Sequence, residues 1–256
     1  MTPTLSCLDL PNQTSSHFVH IISNLLNPEE CKSIIDQYDP SVIPTSAAYS
    51  TRLRHIFEDE DLARLLWIRL EPFYANTTIA DEEQCTWRPT QLNPHFRFCK
   101  YAPGDAFAPH VDGRRLASVN AQSFLTVNIY LNGVARAAGG ATRVLDRAGS
   151  AVSEGGFVVL GAVQPEIGAA SVFRDSLFHD GEVLREGVKY LLRTDIMFER
   201  EEEFDFEGLY GRLSMEERGK KALEIARCLE DGGSGGEAVV WYRKAFKLDP
   251  ELERVL

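Results

Sequence analysis

From about residue 92 onward the sequence is a succession of short β-forming runs cut by Gly, Pro, Asn and Asp: HFRFCKY, SFLTVNIYL, GFVVLGAV, ASVFR and KYLLRTDIMF. Such runs, rich in Val, Ile, Phe, Tyr and Thr and bounded by turn formers, read as strands. Parallel strands need a long crossover, usually a helix, between successive members. Too few helical periods separate these runs to supply one. The strands must therefore pair largely antiparallel and enclose their apolar faces as a sandwich or jelly roll.

Helices are expected on either side of this β-rich region. Asn27-Pro28-Glu29-Glu30 has the form of a helix start: a capping Asn, Pro at the first position and acids in the first turn. The helix carries Cys31, Ile34, Ile35 and Tyr38 at helical spacing and stops before Pro40. A second helix is expected over 58–74, and HFVHIISNLL reads as a strand or a helix start. Residues 1–16 are Thr/Ser-rich and are expected to be loose. The main domain is expected over 17–200, with its core over 92–198, and an acidic solvated linker over 201–211.

A helical hairpin is expected over 212–256. Ala222, Ile225, Ala226 and Leu229 form one apolar stripe, GGSGG interrupts it, and a second helix covers 237–248. Ala238, Tyr242, Ala245 and Pro250 fall at tetratricopeptide offsets, with Gly233 in the turn. A solenoid needs about three such units, and one is visible. The hairpin either packs on the main domain or serves as a docking module for a protein partner.

Charge narrows the function. Lys and Arg number 27 against 38 Asp and Glu, a net charge of −11. That disfavours phosphate-driven nucleic-acid binding and docking on an anionic membrane. No apolar run approaches the roughly 18 residues of a membrane-spanning helix. The first residues carry no basic start and no continuous apolar stretch, and the five cysteines form no CxxC pair. A cytoplasmic or nuclear location with reduced thiols is the expectation.

Among six histidines, one sits in His110-Val111-Asp112. On a strand, residues i and i+2 share a face, so imidazole and carboxylate aim at one point. A third ligand from a neighbouring strand would complete a two-histidine, one-carboxylate triad, which leaves positions open on iron(II) for oxygen chemistry. The triplet alone carries little; its surroundings decide. They run Arg97-Phe98-Cys99-Lys100-Tyr101-Ala102-Pro103-Gly104-Asp105, Phe107-x-x-His110-x-Asp112-Gly113, Leu125 to Asn132, Gly139-Gly140-Ala141-Thr142, Val163-Gln164-Pro165, Leu177-Phe178-His179-Asp180-Gly181 and Gly187-Val188-Lys189-Tyr190. In joint order and spacing these blocks resemble the iron(II)/2-oxoglutarate dioxygenases, in their prolyl 4-hydroxylase-like branch.

The resemblance implies a double-stranded β-helix, a jelly roll, with flanking helices. It implies metal ligation by His110, Asp112 and His179. It implies Fe(II), 2-oxoglutarate as co-substrate and O2, with ascorbate keeping the iron reduced. Lys189, ten residues after His179, matches the cation that takes the distal carboxylate of 2-oxoglutarate. Arg193, four residues further on the same strand face, is its competitor. Thr126 and Tyr130 share a strand face and match positions that hydrogen-bond that carboxylate; Tyr101 matches a tyrosine lining the pocket. The activity implied is hydroxylation of a C–H bond in a protein or small-molecule substrate, a peptidyl proline among the candidates, with release of succinate and CO2. The competing reading is an inactive barrel acting as an adaptor through its helical tail.

Overall fold

The computed structural model describes residues 2–11, 13–14, 17–45, 50–147 and 156–254. In chain order these form strands β1 (Thr4–Cys7) and β2 (Val19–Ser23), helix α1 (Pro28–Tyr38), strands β3 (Ile43–Pro44) and β4 (Leu53–Glu58), and helix α2 (Glu60–Tyr74). Strands β5 (Ile79–Ala80), β6 (Thr86–Leu92), β7 (His95–Tyr101), β8 (Phe107–His110), β9 (Leu116–Ser118) and β10 (Ala121–Tyr130) follow. Then come β11 (Thr142–Arg147), β12 (Phe157–Val163), β13 (Ala170–Arg174), β14 (His179–Gly181) and β15 (Lys189–Arg200). Helices α3 (Phe206–Tyr210), α4 (Met215–Asp231) and α5 (Gly235–Leu248) complete the chain. The protein is thus mainly β with flanking helices.

The chain divides into two compact units. One comprises Met1–Phe73, Gln91–Asp112 and Leu125–Ile196; the other comprises Tyr74–Thr90, Gly113–Phe124 and Met197–Leu256.

In the first unit, one sheet contains the order β13-β10-β15-β7, and the other is β12-β11-β14-β8. The registered neighbours are antiparallel. Following the chain, β7 lies in the first sheet, β8 in the second, β10 in the first, β11 and β12 in the second, β13 in the first, β14 in the second and β15 in the first. This alternation is the strand order of a double-stranded β-helix. Tyr101, Tyr130, Val144, Phe173 and Leu191 belong to one buried cluster of its core.

Outer strands extend the first sheet: β2 and β1 beyond β13, and β4 and β3 beyond β7. The expectation of a loose segment over 1–16 is corrected at Thr4–Cys7, which pairs with β2, Cys7 opposite His20 and Thr4 opposite Ser23. Its four side chains are all exposed, so apolar burial gave no sign of it; edge pairing through the backbone holds it. Helix α1 starts with Asn27 and Glu30 in a reciprocal capping box and Pro28 in its first turn. Glu30 also receives both arms of Arg69 from α2, at 2.6 and 2.8 Å.

In the second unit, α4 and α5 pack on each other, and Ser234 Oγ donates to Ala117 O at 2.6 Å. Gly232, at the end of α4, lies so close to Leu116 that an added Cβ would sit 2.2 Å from its carbonyl oxygen. Helix α5 begins two residues before the expected start, taking Gly235 and Gly236 into its first turn. The acidic stretch expected as a solvated linker instead contains α3, whose Phe206 and Tyr210 are buried with Ala222, Leu223 and Ala245. Aromatic residues between the acids supply apolar area that the charge run concealed. No helix among the described residues is long and apolar enough to cross a membrane.

Candidate active site

The short strands β8 and β14 lie side by side and place His110 directly opposite His179. Their rings lie 4.3 Å apart between centroids. Asp112 lies two residues past His110, beyond the end of β8. The shared-face argument for H-x-D therefore needs amendment: the carboxylate is placed by the turn after the strand, where Asp112 N donates to Asp175 O at 2.9 Å. The convergence still occurs. His110 Nε2 is 3.6 Å from Asp112 Oδ1, and His179 Nε2 is 3.7 Å from Asp112 Oδ2.

One ligand atom from each of the three residues falls within 4.8 Å of the others. Two donors bound at about 2.1 Å to one ion are separated by roughly 3.0–4.2 Å, a window that holds the 3.6 and 3.7 Å histidine–aspartate separations. The tautomers fit as well. His110 Nδ1 meets Ala108 O and His179 Nδ1 meets Leu177 O, each at 2.8 Å. With Nδ1–H donated to a carbonyl, the Nε2 lone pair is free to bind metal. Burial pushes the His179 pKa down, which keeps it neutral and ligating. Two imidazoles and one carboxylate suit iron(II) with open positions.

The carboxylate is prepared in a different way. Burial of Asp112 opposes its charge, but Arg193, His110, His179 and Thr126 outweigh that and hold it well below the usual carboxylate range. Arg193 Nη2 lies 3.2 Å from Asp112 Oδ1, and Thr126 Oγ1 donates to Asp112 Oδ2 at 2.7 Å.

The cavity wall beside the triad is a ladder of cross-strand pairs between β7 and β15: Arg97 opposite Arg193, Cys99 opposite Leu191, and Tyr101 opposite Lys189. All six side chains line the cavity, because alternate residues of a strand share a face. The like charges of Arg97 and Arg193 are relieved by Asp195, which lies 3.8 Å from the first and 3.1 Å from the second.

The two candidate anchors for a distal carboxylate therefore occupy different settings. Arg193 is engaged by Asp112 and Asp195. Lys189 is 2% exposed, donates to Gly140 O at 2.7 Å, and lies 4.9 Å from the Tyr101 ring. Gly140, at φ +73°, turns that carbonyl toward the amine in a conformation that favours glycine. Burial pulls the Lys189 pKa down to about 8.

Thr126 and Tyr130 both project from β10 but do different things. Thr126 supports Asp112. The Tyr130 hydroxyl donates to Thr142 Oγ1 at 2.9 Å and lies 3.0 Å from Ser171 Oγ. Sequence reasoning assigned no role to Thr142, Ser171, Asn128 or Arg52, although Asn128, Thr142 and Arg52 line the cavity. A polar residue inside an otherwise apolar strand, as at Asn128 and Ser171, was the available signal. Arg52 lies outside every motif and had none.

No family model and no curated protein sequence matches the chain. Solved structures are similar to it at low identity. A collagen prolyl hydroxylase of Paramecium bursaria Chlorella virus-1, solved with 2-oxoglutarate, is 15% identical, with 71% of this chain and 96% of that one covered and a TM-score of 0.46. A prolyl 4-hydroxylase of Pseudomonas putida is 14% identical, with 72% and 93% covered and a TM-score of 0.46. HygX of Streptomyces hygroscopicus, solved with nickel and 2-oxoglutarate, is 12% identical, with 71% and 82% covered and a TM-score of 0.44.

Proposed function

We propose that the chain is an iron(II)- and 2-oxoglutarate-dependent dioxygenase that hydroxylates a C–H bond. The observation that supports this best is a single cavity lined both by a two-histidine, one-carboxylate cluster and by a buried lysine amine. Those are the two features that a chelating keto acid with a distal carboxylate requires. When bound, iron(II) supplies activation of dioxygen coupled to decarboxylation of 2-oxoglutarate to succinate and CO2.

The residues contribute binding, orientation and charge. His110 and His179 present neutral Nε2 atoms, and Asp112 a carboxylate kept ionised by Arg193. Lys189 takes the distal carboxylate of the co-substrate, four residues along β15 from Arg193 and so roughly 13 Å away along the strand. Tyr101 and Leu191 flank that channel and keep bulk water from it. Tyr130, held by Thr142 and Ser171, orders the polar lining of the barrel. A peptidyl proline is the proposed substrate on the strength of the motif order from Arg97 to Lys189.

The test needs no substrate. Anaerobic protein loaded with iron(II) is mixed with 2-oxoglutarate, and the visible spectrum is recorded. A charge-transfer band in the native chain, lost in His179→Ala and displaced to higher co-substrate concentration in Lys189→Ala, is the expected outcome. Bound iron without a band would refute the reading and return attention to an adaptor role for the helical tail.

A further inference from the structure

The cavity holds more positive charge than the co-substrate and the triad use. Its walls carry four cations, Arg52, Arg97, Lys189 and Arg193, against two carboxylates, Asp112 and Asp180. This lies within a chain of net charge −11. Asp180 is engaged by Arg143, which donates through Nε at 2.9 Å. Arg193 bridges Asp112 and Asp195, Arg97 lies beside Asp195, and Lys189 awaits the co-substrate. Arg52 is left over.

Arg52 is 7% exposed. Its Nη1 donates to Ser50 Oγ at 3.1 Å and the neutral Tyr101 and Cys99 side chains lie beside it, but its buried Nε has no acceptor. No described carboxylate pairs with it. Its guanidinium lies 3.8 Å over the Phe107 ring, whose centroid is 3.9 Å from that of His110. One aromatic ring thus separates this charge from a metal ligand. A buried charge without a counter-ion is costly. Arginine cannot relieve the cost by losing its proton. Nε is an unpaired donor on one edge of the guanidinium, and a carboxylate is the acceptor that such an edge is shaped to take.

We propose that Arg52 selects the second substrate by binding a carboxylate that the substrate carries close to the C–H bond oxidised. The proposal rests on the dioxygenase reading above. The carboxylate comes either from a free acid or from an Asp or Glu side chain of a peptide; the chemistry at Arg52 is the same.

Two matched pairs of probes distinguish the sources. Acetyl-L-proline is compared with acetyl-L-prolinamide, and acetyl-Asp-Pro-amide with acetyl-Asn-Pro-amide. Binding is followed by ligand-observed NMR on the full chain loaded with zinc(II) and 2-oxoglutarate. In at least one pair the charged member should bind about tenfold tighter or better, the worth of a charge-assisted hydrogen-bonded pair. Arg52→Gln should reduce that preference below about twofold, and Arg52→Lys, which keeps charge without the fork, should retain part of it. The pair that responds identifies the source. Equal binding within both pairs, or a preference that survives in Arg52→Gln, overturns the proposal. So does a loss of 2-oxoglutarate binding in Arg52→Gln with no change in probe preference, which would make Arg52 the co-substrate anchor. Failure of the native chain to bind 2-oxoglutarate would instead refute the dioxygenase reading, a result read separately from the probe pairs.

Discussion

Replacing Lys189 by methionine removes the buried charge while keeping most of the side chain's length. Burial lowers the Lys189 pKa from 10.5 to about 8. At 1.36 kcal/mol per pH unit, holding the amine protonated inside the barrel costs about 3 kcal/mol. Against that stands the hydrogen bond to Gly140 O at 2.7 Å, worth about 1 kcal/mol net. Methionine fills an irregular channel with little strain. At pH 7 and without ligands, Lys189→Met is therefore expected to be about 2 kcal/mol more stable than the native chain. For a chain of this size that is a rise in Tm of roughly 4–8 °C.

The sign with pH follows from the depressed pKa. Between pH 8 and 10.5 the unfolded lysine binds more protons than the folded one, so native stability rises with pH across that window. The variant lacks this rise, and the gap between the two chains closes by about pH 10. Scanning calorimetry at pH 7 and pH 10 on metal-free protein measures both quantities. Adding metal and 2-oxoglutarate should reverse the order, since only the native chain offers the distal carboxylate a cation. A variant less stable than the native chain at pH 7, together with a native Tm that does not rise between pH 8 and 10, would refute the reasoning.

Other outcomes follow from the same geometry. His179→Ala should weaken divalent-metal binding by more than about 100-fold, beyond what loss of an outer hydrogen-bond partner costs; calorimetric titration measures it. Arg193→Met leaves Asp112 and Asp195 buried without their guanidinium and should cost about 3–5 kcal/mol. Bound metal should recover part of that cost, as urea unfolding with and without metal would show. Apparent 2-oxoglutarate affinity should fall with rising pH above about 8, as Lys189 loses its proton, and a binding titration at pH 7, 8 and 9 checks it. Gly232→Ala would place a Cβ 2.2 Å from Leu116 O and should destabilise the chain by about 1–3 kcal/mol, read as a lower urea midpoint.

The parts of the fold legible in the sequence were those held by apolar burial. All four strands of the β13-β10-β15-β7 sheet stood out as Val-, Ile-, Phe- and Leu-rich runs. In the facing sheet only β12 did. Strands β11 and β14 escaped the reading, and β8 entered it only through the His110-Val111-Asp112 triplet: Arg143, Asp146 and Arg147 interrupt β11, and His179-Asp180-Gly181 is the whole of β14. Residues that bind ligands break the hydrophobic alternation by which a strand is recognised. The motif order anticipated the meeting of His110, Asp112 and His179, and the spacing from His179 placed Lys189 and Arg193 on one strand face that lines the same cavity. The engagement of Arg193 by Asp112 and Asp195 had no sequence signal, since strand spacing gives a shared face but no partner. Arg52 was hidden most deeply. It reaches the cavity from an outer segment through a bridge of Ser50 to Phe107, a long-range pairing with no local sequence signature.

Both histidines of the triad are oriented by a carbonyl two residues upstream, Ala108 O for His110 and Leu177 O for His179. Neither partner is a side chain. No substitution at position 108 or 177 that keeps the strand can remove the acceptor, because every residue type supplies a carbonyl. A histidine oriented by Asp or Asn would depend on a second inherited residue, and each change there could flip the ring or alter its tautomer. Here the ligating nitrogen is set by the path of the main chain alone. On the proposed function, sequence drift around the site could therefore reshape the cavity walls while the orientation of both imidazoles stays the same, a separation that lets specificity change without rebuilding the proposed metal site.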